Sequence, residues 1–329
     1  MLPALRRGMI LLALVGAAGA CAQSLPTEPI RPLPEQAGGD PARIALGTRL
    51  FFDARFSRDN KQSCASCHRF DKAGTDGLAV ALGADGKPGQ FNTPTVYNSS
   101  FNFRQTWTGR HTSIEGLLDH VIARPNVFAT SWEAVASRLA GDPALSDEFR
   151  KVYGDAISAP YVMDALGQFL RSLSTPSRFD RYLRGDNEAL SVEEKAGYAK
   201  FKSFGCAACH QGINAGANMY QKFGAMRDVP GLRASGADLG RFEITGREAD
   251  RHVFRVPGLR NVALTAPYFH NGSASTLEEA VDVMFKYQLG RSATEQDRDL
   301  IVRFLHTLSG EQLLKPAVKP SVKPAEARP

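Results

Sequence analysis

Apolar residues recur three or four positions apart in several stretches of this chain, the spacing that lines one face of an α-helix. Ile44, Leu46, Leu50 and Phe51 predict a short helix from Pro41 to Phe52. The same spacing predicts helices over Ile114–Ile122, Trp132–Leu139, Asp147–Tyr153 and Tyr161–Leu173. Two later helices announce their starts. Ser191-Val192-Glu193-Glu194 and Thr276-Leu277-Glu278-Glu279 each carry a hydroxyl followed three residues on by a glutamate, the capping box. These helices should run to Phe204 and to about Tyr287, and Glu295 to Leu308 should form the last helix before Gly310. Residues 69–92 and 212–258 are rich in glycine with weak periodicity and read as long loops. Strand-like alternation is scarce, so the expected fold class is all-α.

The chemistry sits at Cys64-Ala65-Ser66-Cys67-His68 and again at Cys206-Ala207-Ala208-Cys209-His210. Two thiols one turn apart can add to the two vinyl groups of a haem, and the imidazole that follows becomes the proximal ligand of its iron. Each run therefore reads as an attachment site for a covalent c-type haem. A Cys-x-x-Cys redox pair or a four-cysteine zinc site would not need a histidine in both copies, and zinc pairs usually stand roughly 12–20 residues apart. One haem in each half implies two cytochrome c-like domains whose long loops cover the haems. Beyond the two motifs, the halves offer no repeat that can be aligned.

The 329 residues carry a formal net charge of +6, most of it at the ends. Arg6 and Arg7 precede an apolar run from Met9 to Ala18 and small residues ending Ala20-Cys21-Ala22, a signal-peptide pattern. The tail sets Lys315, Lys319, Lys323 and Arg328 against Glu326. With two positive charges in the leader and a net three in the tail, the body is left near +1. That argues against nucleic acid as a partner, because its binders concentrate positive charge on one face. The expected divisions are a signal peptide at 1–22, a first unit at 23–175, a second at 176–311 and a disordered Lys/Pro tail at 312–329. The leader implies a periplasmic protein, with Cys21 either removed or kept as the lipidated first residue of a lipoprotein. No second apolar run is long enough to span a bilayer.

Further phrases accompany the two motifs: Leu50-Phe51-Phe52-Asp53, Asn92-Thr93-Pro94-Thr95, Trp107 to Arg110, Cys206 to Asn214, Arg255-Val256-Pro257-Gly258-Leu259-Arg260-Asn261, Thr265-Ala266-Pro267-Tyr268-Phe269-His270, Thr276 to Met284, and Phe304 to Gly310. In this order they span most of the chain beyond the leader and resemble the bacterial di-haem cytochrome c peroxidases, including the relatives that mature methylamine dehydrogenase. The resemblance implies a first, low-potential haem where hydrogen peroxide is reduced. It implies a second, high-potential haem fed by a small donor protein, a cytochrome c or a cupredoxin. His210 and Met284 would be the axial pair of that second haem, the thioether stabilising ferrous iron and raising the potential. Relatives that oxidise another protein replace this methionine by tyrosine. Trp107 would stand between the haems as an electron relay. Asn92, Thr265 and Pro267 would hold a calcium ion at the junction through oxygen atoms. Read from the residues alone, Met284 could be core, Trp107 a packing residue and the calcium phrases plain turns. A homodimer is left open.

The first haem departs from the family pattern. The place of a resting distal histidine, eight residues before Asn92, is taken by Ala84, and the glutamine and glutamate that flank the peroxide pocket in relatives fall at Leu117 and Val127. Peroxide cleavage needs a proton moved between the two oxygens, so the expected distal pocket is apolar and open. Asp119, His120 and His111 are the nearby candidates for an acid or base. Two readings follow: a peroxidase working through such a group, or a di-haem electron-transfer or ligand-sensing cytochrome without fast turnover. Oxidation of a partner protein is a third, and Met284 weighs against it.

Overall fold

The computed structural model describes residues 28–35, 38–232 and 236–313. The leader, Cys21 and the Lys/Pro tail lie outside the described residues. Helices begin where side-chain chemistry starts them. α1 (Pro41–Phe51) opens on Asp40, whose carboxylate accepts from the amides of Ala42 and Arg43, while Pro41 needs no amide partner in the first turn. α2 (Ile114–Ala123) and α3 (Trp132–Ala140) are capped by the hydroxyls of Ser113 and Ser131. α4 (Pro143–Tyr153) starts at Asp142, earlier than periodicity alone predicts, because Asp142-Pro143 is itself a start signal. α5 (Ala159–Ser172) closes this group. The six-residue α6 (Arg178–Leu183) is too short for periodicity to reveal and leads to α7 (Val192–Ser203), whose capping box joins Ser191 and Glu194.

The stretch read as one long glycine-rich loop contains structure. β1 (Tyr220–Lys222), α8 (Phe242–Thr245) and β2 (Val253–Arg255) lie in it, and the two strands pair antiparallel with Tyr220 opposite Arg255. The fold is therefore mostly helical with one small sheet, rather than purely α. α9 (Leu277–Val283) opens on the Thr276–Glu279 capping box and gives way at Met284 to a π-helical turn ending at Gln288. α10 (Glu295–His306) is the last α-helix among the described residues.

Two hydrophobic clusters organise these elements. One joins Leu46, Phe51, Leu118, Val162 and Phe169, the other Phe179, Tyr198, Phe201, Val281 and Phe304. In the first, α1 crosses α5 at Gly47, where a Cβ would lie 2.0 Å from Ala165 O and 2.7 Å from Phe169 Cβ. In the second, α7 crosses α10 at Gly197, where a Cβ would lie 2.0 Å from Leu300 O and 3.0 Å from Phe304 Cβ. Each glycine is followed four residues later by a buried phenylalanine, Phe51 and Phe201. The lead-in at 28–33, placed with the first unit by sequence, packs on the second. Ile30 joins its core, Leu33 N donates to Asp180, and the Arg260–Asp180 pair beneath it is fully buried.

The correspondence between the halves goes further than the sequence reading found. Pro94 and Asn98 in the first half match Pro257 and Asn261 in the second, and both asparagines adopt left-handed backbone, at φ 58° and 63°. Asn98 N donates to Leu173 O and Asn261 N to Leu308 O. Their side-chain amides both donate to the same buried hydroxyl, Thr175 Oγ1, at 2.7 and 2.9 Å. Gln105 bridges His111 as Tyr268 bridges Ala274, and the turn inside each bridge carries left-handed residues at Thr106 and Gly109, or Phe269 and Gly272. Two units thus meet around Thr175, with Trp107 in the position of His270, and α2 in the position of α9.

Candidate haem and electron-transfer site

Both Cys-x-x-Cys-His runs fold as a single 3-10 turn. Cys64 O accepts from Cys67 N and His68 N at 3.2 and 3.0 Å, and Cys206 O accepts from Cys209 N and His210 N at the same distances. The four thiols are unpaired. Burial pushes Cys64 up to about 12 and Cys206 up to about 11, and raises Cys67 as well. Thiols held protonated in this way do not suit a redox pair, whose attacking cysteine needs a lowered pKa. Among the described residues no three His, Cys, Asp or Glu gather as a metal-binding group.

The two imidazoles are set up as metal ligands. His68 Nδ1 lies 3.1 Å from Gly74 O. A carbonyl can only accept, so the proton is on Nδ1 and the Nε2 lone pair is free for iron. Burial holds the His68 imidazole below its usual range, against the pull of Gly74 O and Asp76. His210 is pushed down to about 4 by burial. Its Nδ1 is buried without a formed hydrogen bond, the carbonyls of Ala215 and Pro257 standing nearby. Gly216 makes this close approach possible: at φ 125°, a Cβ there would lie 2.4 Å from Pro257 O and 3.1 Å from His210 Nδ1.

His210 and Met284 face the same cavity, of about 250 Å³, together with Cys206 and Cys209. One water needs only about 30 Å³, and the walls are largely apolar, among them Phe201, Leu259, Val281 and Phe285. The donor set and the walls suit a bulky, largely apolar ring fixed by two thioethers and ligated from both sides. Met284 begins the π-helical turn, a distortion found disproportionately at functional positions. Counted from the caps Ser113 and Thr276, the residue of α2 that matches Met284 is Val121, partly buried against the first core. The first unit offers no thioether there.

The cavity extends to the junction, where the candidate relay and calcium residues meet. Trp107, Asn92, Thr265 and Pro267 all line it. Trp107 Nε1 donates to Asn92 O at 2.8 Å. The Asn92 amide donates to Leu78 O, which leaves its carbonyl oxygen for another partner, as a neutral oxygen-ligated cation would need. Gly109 is required because Tyr220 packs on this turn, its hydroxyl 2.3 Å from where a Cβ would stand. The indole meets His270 edge-on at 6.4 Å between centroids. His270 is buried, stacks on Phe254 and is held by Asp238. Burial keeps its imidazole below the usual range despite that carboxylate.

The distal candidates of the first unit do not converge on one point. Asp119 is exposed and accepts from Trp132 Nε1 at 2.7 Å. His120 packs against His111 with tilted rings, 4.8 Å between centroids, and burial lowers both imidazoles. On α2, residues 117 and 121 share a face, while 120 lies about 100° round from 121. Ala84 is exposed at a turn tip whose amide reaches Asn126 O, next to Val127. Sequence alone carries Arg255, Asn261 and His270 only inside longer phrases, places Thr175 only at the crossing between units, and gives no sign of Asn98 by itself. A Pro-x-x-x-Asn phrase at 94–98 and 257–261 was the available signal.

A family model described as di-haem cytochrome c peroxidase matches residues 41–188. The chain is 41% identical over 285 residues to cytochrome c peroxidase Ccp of Escherichia coli (strain K12), covering 86% of this chain and 61% of that protein. It is 41% identical over 303 residues to cytochrome c551 peroxidase of Nitrosomonas europaea, covering 91% and 89%. The solved structure of a MauG-like protein associated with microbial copper homeostasis superposes with a TM-score of 0.74 at 27% identity, covering 89% of this chain and 97% of that one. This chain spans less than two thirds of the E. coli relative and most of the other two.

Proposed function

The chain belongs to the di-haem cytochrome c peroxidase family, and from that premise we propose that it is an exported, periplasmic di-haem c-type cytochrome that reduces hydrogen peroxide at the first unit with electrons received at the second. Cys64, Cys67 and His68 would hold one haem, and Cys206, Cys209, His210 and Met284 the other. When bound, the haems would supply the one-electron carriers and, in the first unit, an iron to which peroxide could bind. The observation that carries this division is the contrast between Met284 and Val121 on matching helices. Met284 would close the second site against ligands, whereas Val121 would offer the first no ligand.

The remaining roles fall to side chains at the junction. Trp107, fixed through its indole nitrogen to Asn92 O, is the proposed path between the units. Asn92, Thr265 and Pro267 would hold a calcium ion beside it. A small cytochrome c or cupredoxin would deliver electrons to the second unit. Leu117, Val121 and Val127 provide no proton carrier, so proton transfer would fall to a water or to His120. Loss of a positioned acid or base typically costs about 10²–10⁴ in rate. Peroxide should therefore bind readily and turn over slowly.

The apolar distal face also favours a second reading, an electron-transfer or sensing cytochrome. Steady-state assay with a reduced cytochrome c donor separates the two. Donor oxidation that depends on peroxide and falls in Trp107→Phe supports the peroxidase. Rapid reduction of both haems by the donor with no peroxide-dependent turnover overturns it in favour of electron transfer.

A further inference from the structure

Arg255 ends β2, is 4% exposed and lines the cavity shared by His210 and Met284. Its backbone amide donates to Trp107 O at 2.9 Å and its Nε to Thr106 O at 3.1 Å. One terminal nitrogen makes a long contact of 3.5 Å with Val256 O. Among the described residues no carboxylate pairs with it. Burial alone pushes this guanidinium down to about 10, opposed only by the phenol of Tyr220. A guanidinium carries five donors and stays charged, and an uncompensated buried charge is costly.

Arg260 is the control within the same molecule. It is as deeply buried on the same cavity wall, yet it donates to Asp180 at 2.8 Å, to Ile213 O at 2.9 Å and to Arg31 O at 3.0 Å. One buried arginine has its anion inside the chain. The other turns its unused donors toward a cavity built for a ring that brings two carboxylates of its own. The pseudo-symmetry sharpens the contrast. Arg255 N donates to Trp107 O as Asn92 N donates to His270 O, so the first unit has a neutral amide where the second has a cation.

We propose that Arg255 binds a propionate carboxylate of the second haem as its buried counter-ion, and that this pair raises that haem's potential and fixes its edge against the Trp107 loop. The inference rests on the di-haem reading above. Arg255 is a positioning residue: neutralising a carboxylate beside the iron favours the reduced state, and the first unit, with Asn92, lacks the effect.

The test uses purified haem-loaded protein and two separate readouts. Mass and haem absorbance count the haems, and a wild type without two of them would refute the di-haem reading rather than this one. Redox titration then reads Arg255. In Arg255→Gln with two haems retained, the reduced-to-oxidised ratio of the second haem at fixed potential should fall at least tenfold, about 59 mV for a one-electron couple. The first haem should move less, and Arg255→Lys should recover most of the loss. An unchanged second potential in Arg255→Gln, or a Lys variant as low as the Gln variant, overturns the proposal. If the Gln variant does not accumulate, resonance Raman on wild type and Arg255→Lys decides: the propionate-bending band should shift, and identical bands overturn it.

Discussion

The two Cys-x-x-Cys-His units share a skeleton and differ on the side where each proposed haem would take its second ligand. Both cross a helix pair at a glycine, Gly47 of α1 against α5 and Gly197 of α7 against α10, and both present from a 3-10 turn a partly buried histidine whose imidazole is held below its usual range. Both close on Thr175 through an asparagine in left-handed conformation. The differences lie on the opposite side. Met284 corresponds to Val121, Arg255 to Asn92 and His270 to Trp107. In the proposed di-haem reading, proximal attachment would be a local, covalent demand that both halves meet in the same way. Distal residues carry no such demand, so one half can become a closed electron port and the other an open ligand site. The comparison teaches that division of labour in this fold needs few substitutions on a common frame.

The largest effect is expected at the axial position. Met284→Ala should lower the second haem's potential by on the order of 100 mV or more, within the ~0.8 V span that axial ligation commands. Val121→Met should do the reverse in the first unit, giving a second methionine-ligated low-spin haem and abolishing peroxide binding. Spectroelectrochemistry reads both, and unchanged potentials in both variants would end the assignment of these helices as equivalents.

Acid should act through His270, which is not among the proposed iron ligands and which burial holds below its ordinary range despite Asp238. The unfolded chain binds that proton more readily, so this group's stability is fully present above the ordinary value of about 6.5 and is lost as pH falls below it. Denaturant midpoints at pH 7.5 and 4.5 should show a drop that is smaller in His270→Gln, and a flat wild-type profile would contradict it.

Adding a methyl group at the helix crossings tests whether the frame is shared. Gly47→Ala and Gly197→Ala should each cost about 1–3 kcal/mol through overpacking, since either Cβ would meet a backbone carbonyl. Calorimetry that finds only one of them destabilising would break the equivalence. The smallest effect is at the hinge between units. Asn98→Ala and Asn261→Ala should each cost about 1 kcal/mol, and because both donate to Thr175 Oγ1 their double variant should deviate from additivity by at least about 0.5 kcal/mol. Strict additivity would mean the hydroxyl does not link the halves.

Much of this was legible in the chain because the relevant chemistry is local. Cys64 to His68 and Cys206 to His210 are complete within five residues each, and the Ser191 and Thr276 capping boxes fixed two helix starts. The repeat was hidden by loop length: Pro94 follows His68 by 26 residues, whereas Pro257 follows His210 by 47. β1, β2 and α8 fill that extra length and are too short to show a period. Leu170-Arg171-Ser172-Leu173-Ser174 and Leu305-His306-Thr307-Leu308-Ser309 were a visible trace of the duplication. Arg255 could not be recognised from sequence, because its meaning lies in lacking a carboxylate neighbour, which only packing reveals.

Electron paramagnetic resonance of the fully oxidised protein tests most directly the central claim, that one haem is closed and the other open. The expected spectrum contains one low-spin haem with methionine ligation, lost in Met284→Ala, and one high-spin haem that binds peroxide or cyanide without prior reduction of its partner. Two low-spin haems in the resting protein would contradict it, showing that a side chain other than Val121 has closed the first site.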